Sequence, residues 1–370
     1  MIVNNLPTVA FYGFRSGNQG ISPVMLNLIN AMATEGVSVD LLLNRTDIPE
    51  LLRISPSVRM VRLGGGGLLG RVRPLADYLI REKPAALITN HKERAIRDVV
   101  LAKKFSGSSV PIVFRIGTTL SNVLAWRSFW KRWLLRRSIR FFYPRANTII
   151  ANSKGVAVDV AQITGLPLAS IPVINNSTVS AEQFEKALEP VDHPWFRGDA
   201  PPVILAVGRL RKVKDFPTLI RAFAKLQQQR DCRLMILGEG KERRSLEKLT
   251  AELGISDKVS MPGFVSNPYA YMKRSTLLVL SSAWEGSPNV LIEALSLGVP
   301  VVATDCHSGP RDILQDGKFG SLVPVGDVDA LADGMLQTLQ APADSDFLKR
   351  AAEPFWADRV AREYLDAAGL

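Results

Sequence analysis

The sequence predicts an α/β protein made of two Rossmann-like domains facing each other across a cleft. Three observations lead there. Short apolar runs rich in β-branched residues alternate with helical patterns in both halves of the chain. One aperiodic, proline-bearing stretch interrupts that rhythm near the middle. The length of 370 residues suits about two domains of roughly 150 residues each.

The elements follow in order. TVAFYGF (8–14) reads as a buried strand, and GISPVMLNLINAMATEG (20–36) as an amphipathic helix that Gly36 stops. VSVDLLL (37–43), AALITN (85–90), VPIVFRI (110–116) and NTIIANS (147–153) read as further strands with helical patterns between them. Together they make residues 1–180 the N-terminal domain. Residues 181–201 lose periodicity and gather prolines, so they are predicted to be a linker. The rhythm restarts over residues 202–345. Strands are expected at VILAVG (203–208), CRLMILG (232–238), KVSMPG (258–263), TLLVLSS (276–282) and PVVAT (300–304), with helices at 215–229 and 241–254. Residues 346–370 close the chain with an amphipathic helix able to cross back to the N-terminal domain.

Composition narrows the function. Hydrophobic residues are 46% and charged residues 22%, as in soluble globular proteins. The two cysteines, Cys232 and Cys306, lie far apart and make no disulfide framework, which fits a reducing compartment. The N-terminus MIVNNLPTVAF lacks the pattern of a signal peptide, and no apolar run nears the ~20 residues of a membrane span. A cytoplasmic location is predicted. The net charge of +11 is unevenly placed: residues 99–158 hold eleven Lys/Arg and no acidic residue, whereas residues 159–370 carry a net −4. Such asymmetry fits an anionic partner for the N-terminal half: membrane, nucleic acid or phosphorylated substrate.

Several patterns point away from chemistry. GGGGLLG (64–70) has GxGxxG spacing, but neither a first strand before it nor an acidic residue at the right distance after it, so a flexible loop is expected. In DVD (327–329), Asp327 reads as a helix cap. The three histidines are scattered and no metal site is predicted. His91, at a strand end, is either structural or an acceptor contact.

Two stretches carry more. In VGRLRKVKDF a strand ends at Gly208, and Arg209 and Lys214 follow before the next helix. A guanidinium fork and an ammonium at a strand's carboxyl end suit a diphosphate; a solvated basic loop is the alternative. In EGSPNVLIE, Glu285 lies just past a strand, Ser287 is expected to cap a helix and Pro288 to be its first residue. Glu293 lies inside that helix. Its free N–H groups would favour an anion, and carboxylates are strong acceptors for sugar hydroxyls.

These residues resemble the retaining glycosyltransferases of family four. EGSPNVLIE fits their E-x7-E pattern; VGRLRKVKDFPTLIRAF, LMILGEG, VSMPGFVSN, IIANSKGVA and GVPVVATD…SGPRDIL match their wording. The resemblance spans nearly the whole chain and is strongest over residues 147–330. It is closest to members that build lipopolysaccharide core and other envelope glycans. It implies a GT-B fold and sugar transfer with retention from a nucleotide-sugar, UDP-linked, to a lipid-linked or lipopolysaccharide-type acceptor. Neither a metal nor any cofactor beyond the nucleotide-sugar substrate is implied.

By that resemblance Arg209 and Lys214 hold the donor diphosphate, Glu293 the ribose and Glu285 the sugar. Gly286, Ser287, Asn289 and Val290 meet phosphate or sugar through the backbone. Gly263, Phe264 and Val265 begin the loop that contacts the base, and Gly20 lets the chain approach the diphosphate. The sequence departs from the family at Gly117, where relatives often carry a histidine; Arg115, Thr118 or Thr119 could substitute.

VLAWRSFWKRWLLRRSIRFFYPR (123–145) is amphipathic in an unusual way. Trp126, Phe129, Trp130, Trp133 and Leu134 share one helical face, with Arg127, Lys131, Arg136 and Arg140 largely elsewhere. Tryptophans beside cations suit an anionic membrane surface; core packing is the other reading. The prediction is a cytoplasmic glycosyltransferase peripheral on the inner face of the plasma membrane, binding no nucleic acid. A GT-B epimerase or phosphorylase, or a non-catalytic membrane- or nucleic-acid-binding protein, is the alternative.

Overall fold

The computed structural model describes residues 6–14, 21–45, 48–90, 93–125, 127–198 and 200–370. The chain divides into two compact units, Met1–Thr178 with Phe355–Leu370, and Val179–Pro354.

The first unit is built on six parallel strands: β1 (Thr8–Tyr12), β2 (Ser38–Leu43), β3 (Val58–Arg62), β4 (Ala86–Asn90), β5 (Ile112–Ile116) and β6 (Thr148–Ala151). Their order in the sheet is β3-β2-β1-β4-β5-β6, a doubly wound arrangement. Successive residues of β1 face opposite layers. Val9 and Phe11 pack with Leu28 and Ile29, while Ala10 and Tyr12 pack with Leu75 and Val99. Burial on both faces is why the central strands read as continuous apolar runs. The helix Ala357–Ala368 belongs to this unit and shares the first of those layers through Val360, Ala361 and Tyr364.

β3 is absent from the sequence reading because VRMVR, at a sheet edge, interrupts its apolar residues with Arg59 and Arg62 and shows no period of two. Arg59 is held by Asp40 on β2, whose buried carboxylate also accepts from the Tyr78 hydroxyl at 2.5 Å. The glycine-rich stretch read as a loop is a loop only as far as Gly67. It runs from β3 into the helix Leu68–Glu82, and Arg71 clamps it by donating to Gly66 O at 2.6 Å and Gly67 O at 3.0 Å. Arg71 is itself held by Asp98 at 2.7 Å. Those two carbonyls face a cation, whereas a phosphate loop presents N–H groups.

The second unit repeats the scheme with β7 (Val203–Val207), β8 (Arg233–Leu237), β9 (Val259–Gly263), β10 (Leu277–Leu280), β11 (Val301–Thr304) and β12 (Ser321–Val323). The order is β12-β11-β10-β7-β8-β9, the same permutation as in the first sheet. β12 is only three residues long, too short to register as a strand pattern. Asp327 caps the helix Val328–Gln340, as its sequence suggests, by accepting from Ala330 N at 2.9 Å.

The segment read as a linker contains the helix Ala181–Leu188. It docks on the second unit: Asn267 Nδ2 donates to Lys186 O at 2.8 Å, and Gln183 Nε2 to Ser296 Oγ at 2.5 Å. Its eight residues are too few for a clear period once prolines follow.

Candidate active site

In the second unit the loops leaving β7, β8 and β9 stack on one another at the carboxyl edge of the sheet. Gly208 N donates to Leu237 O at 2.9 Å, Gly238 N to Gly263 O at 2.8 Å and Leu210 N to Glu239 O at 3.0 Å. The approach is so close that a Cβ on Gly238 would lie 2.0 Å from Gly208 O. Glycine is required there both for space and for its φ of +145°. Gly208 in turn makes room for the Lys214 stem, which a Cβ would meet at 3.1 Å.

Lys214 and Glu285 come together across this edge, with Lys214 Nζ 2.6 Å from Glu285 Oε1. Their side chains are only 20% and 15% exposed. Ser282 Oγ donates to the same oxygen at 2.7 Å. The surrounding loops are cross-tied: Ser281 Oγ donates to Lys214 O at 2.8 Å, Ala283 N to Val213 O at 2.8 Å and Thr304 Oγ1 to Ser282 O at 2.6 Å. The Cys306 thiol beside them is pushed up to about 12 by burial and then by the Glu285 charge. Arg209, on the same loop as Lys214, is different. Its Nε is buried and has no hydrogen-bond partner among the described residues. Burial, then the neighbouring charge of Arg211, lowers its pKa. A half-buried guanidinium with an enclosed, unmet Nε, beside a lysine already matched to a carboxylate, is suited to receive an anion.

Glu293 sits on the helix Asn289–Ser296. This helix starts one residue later than expected: Pro288, not Ser287, is in the cap position, and no side chain caps it. Glu293 is half-buried. Burial pushes its carboxyl up to about 7, against a hydrogen bond from Tyr269 that favours the ionised form. Tyr269, and Ser282 at Glu285, are site residues the sequence reading missed; a tyrosine after Asn-Pro and a serine at a strand end give no local signal of their partners. Gln183 steadies the helix by donating to Glu293 O at 3.3 Å. Gly286, Ser287, Asn289 and Val290 are all half-buried between the two glutamates in sequence. Gly263 has a φ of +93°, Phe264 is exposed and Val265 half-buried. Among the described residues no group of three or more His, Cys, Asp or Glu is placed to hold a metal ion.

In the first unit, Gly20, His91 and Trp126 lie outside the described residues. Arg115 is not a surface residue: it is 2% exposed and donates to Asn176, which also accepts from Asn152 Nδ2 at 3.3 Å. Its guanidinium fills the space above Gly117, where a Cβ would lie 2.7 Å from Arg115 Nη1. A side chain at 117 would therefore require the end of this arginine to shift.

The helix Phe129–Phe142 turns only Leu135 and Ile139 inward. Phe129 and Trp130 are 72% and 71% exposed, and Trp133, Leu134 and Phe141 are exposed too, so core packing does not account for these aromatics. Arg127, Lys131, Arg136 and Arg140 are exposed around them. Phe129, Trp130 and Trp133 form an edge-to-face run with ring centroids 5.6 and 6.5 Å apart. Among the described residues no helix is long and apolar enough to cross a membrane.

Comparison with known proteins agrees with this arrangement. Residues 18–178 match the family model Glycosyltransferase Family 4, and residues 193–353 match Glycosyl transferases group 1. The chain is 33% identical over 275 residues to the N-acetylgalactosamine-N,N'-diacetylbacillosaminyl-diphospho-undecaprenol 4-alpha-N-acetylgalactosaminyltransferase of Campylobacter jejuni, covering 72% of each protein. Among solved structures, the lipopolysaccharide outer core galactosyltransferase WaaB superposes with a TM-score of 0.74 at 22% identity, over 97% of this chain and 98% of that one. HepE of Anabaena in complex with UDP does so with a TM-score of 0.70 at 18% identity, over 98% and 96%. With two doubly wound sheets, the E-x7-E pair and these matches over both units, the chain belongs to glycosyltransferase family 4 and is a glycosyltransferase of the GT-B type.

Proposed function

We propose that this enzyme moves a sugar from a UDP-sugar to a lipid-linked envelope glycan, with retention of anomeric configuration and without a metal ion. The observation that carries the reading is the buried Arg209 donor without a partner, beside the Lys214–Glu285 pair at the carboxyl edge of the second sheet. Arg209 takes the donor diphosphate with its fork, and Lys214 turns part of its charge from Glu285 to the same phosphates. Fixed cations there stabilise the leaving diphosphate as the glycosidic bond breaks, the role a metal plays elsewhere. Glu285 uses its second oxygen to accept from a sugar hydroxyl, since both described bonds use Oε1. Glu293 accepts from the ribose when ionised. The backbone of the loop from Gly263 contacts the base.

Retention follows from front-face attack, in which the departing phosphate takes the acceptor's proton while the sugar is oxocarbenium-like. The relative's name records an alpha linkage, which is the outcome of retention when the donor is alpha-linked. The diphospho-undecaprenol and lipopolysaccharide acceptors named for the relatives support the acceptor class, and the UDP complex of a neighbour supports the nucleotide.

The exposed aromatic and basic helix supports a peripheral seat on the cytoplasmic face of an anionic membrane, where lipid-linked acceptors lie. A panel of nucleotide-sugars assayed for nucleotide release, with and without lipid extract, tests the reaction. Full activity in both Arg209→Ala and Glu285→Ala would overturn the site. Sedimentation with phosphatidylglycerol vesicles tests the membrane seat. Arg127→Glu/Lys131→Glu/Arg136→Glu should release the protein, most visibly at low salt.

A further inference from the structure

Ser308, in the loop after β11, has a φ of +66°. That is the left-handed region, unfavourable for a side chain and free to glycine. Its hydroxyl is enclosed and has no hydrogen-bond partner among the described residues. One residue thus combines backbone strain with an unmet polar group, and glycine would relieve both. The chain keeps a serine there.

The surroundings say what the hydroxyl is for. The next residue, Gly309, is seated on the loop that joins Glu285 to its helix: a Cβ there would lie 2.6 Å from Pro288 Cδ and 3.2 Å from Gly286 O. Two residues before Ser308, Cys306 lies within the fields of Glu285 and Lys214. Four residues before it, Thr304 Oγ1 donates to Ser282 O, and Ser282 Oγ in turn donates to Glu285. The turn at 308–309 therefore borders the carboxylate site from the β11 side, as Arg209 does from the β7 side.

We propose that Ser308 is a donor-sugar contact and helps decide which sugar is accepted. On binding, its χ1 moves to a neighbouring staggered well and Oγ bonds an oxygen of the transferred sugar ring or its N-acetyl group. The two groups are complementary: ionised Glu285 can only accept, while the serine can donate. A donor sugar supplies an oxygen for this hydroxyl and UDP alone does not, which favours the loaded donor over free UDP. This rests on the donor-site reading above.

The test uses the full-length protein, calorimetric binding and thermal unfolding. The probes are UDP and whichever of UDP-glucose, UDP-galactose, UDP-N-acetylglucosamine and UDP-N-acetylgalactosamine binds tightest. Ser308→Gly should raise Tm, leave UDP binding unchanged and weaken UDP-sugar binding by roughly 3- to 10-fold, the worth of one neutral hydrogen bond. Ser308→Ala should weaken UDP-sugar binding equally without the gain in Tm. Unchanged UDP-sugar affinity in both variants, or an equal loss for UDP and UDP-sugar, overturns the proposal. Arg209→Ala separates the two levels. If it abolishes UDP binding while the Ser308 variants bind normally, only the serine's role fails. If it leaves UDP binding intact, or the wild type binds none of these probes, the donor site itself is misplaced.

Discussion

Replacing Glu293 by glutamine keeps the side chain's shape and removes its titration. In the folded chain its pKa rises from 4.5 to about 7 because the carboxyl is buried. The folded state holds this proton more tightly than the unfolded state, so stability falls as pH rises through that window. Below about 4.5 both states are protonated and burial of the neutral acid costs little; above about 7 both are ionised and the full cost of a buried carboxylate is present. At about 1.4 kcal/mol per pKa unit, the difference between these values is roughly 3 kcal/mol. Glu293→Gln should therefore match the wild type near pH 5 and exceed it near pH 8.5. For a unit of this size the gain is roughly 6–12 °C in Tm. Thermal unfolding of both proteins across pH 5–8.5 measures it. The same variant should bind UDP more weakly, and with a flat pH profile, whereas wild-type binding should weaken as pH falls below 7 and the ribose acceptor is protonated. A Tm difference that does not change with pH would refute the reasoning.

Other substitutions probe the remaining contacts. Lys214→Met leaves the Glu285 carboxylate without its cation and removes one phosphate donor; kcat should fall by about 100-fold or more in a nucleotide-release assay. Gly238→Ala places a Cβ 2.0 Å from Gly208 O at a φ of +145°, and should lower stability by more than about 2 kcal/mol in denaturant unfolding. Trp130→Ser with Trp133→Ser should leave Tm within a degree or two, since neither ring packs in the core, while vesicle binding drops.

Much of this was legible in the sequence because strand and helix periodicity are local. Short continuous apolar runs marked the central strands and a 3.6-residue period marked the helices, and the E-x7-E stretch could be placed at a strand end and on a helix without any structure. The edge strands escaped because VRMVR and SLV have too little apolar surface for a pattern. The helix Ala181–Leu188 escaped because its bond from Gln183 goes to Ser296, 113 residues away. The sequence supplied Arg209, Lys214, Glu285 and Glu293 as candidates and grouped them by resemblance. It could not say that Lys214 and Glu285, 71 residues apart, are bonded to each other while Arg209 is left with an unmet donor. Nor could it say that Arg115 is enclosed over Gly117, or that the tryptophans of 129–142 face outward. By itself the sequence determined the two-sheet architecture and the family, since both rest on spacing along the chain. Only the tertiary structure decided which charges are paired, which are buried and which apolar faces are left open, because pairing and desolvation depend on neighbours that the chain brings together from distant positions.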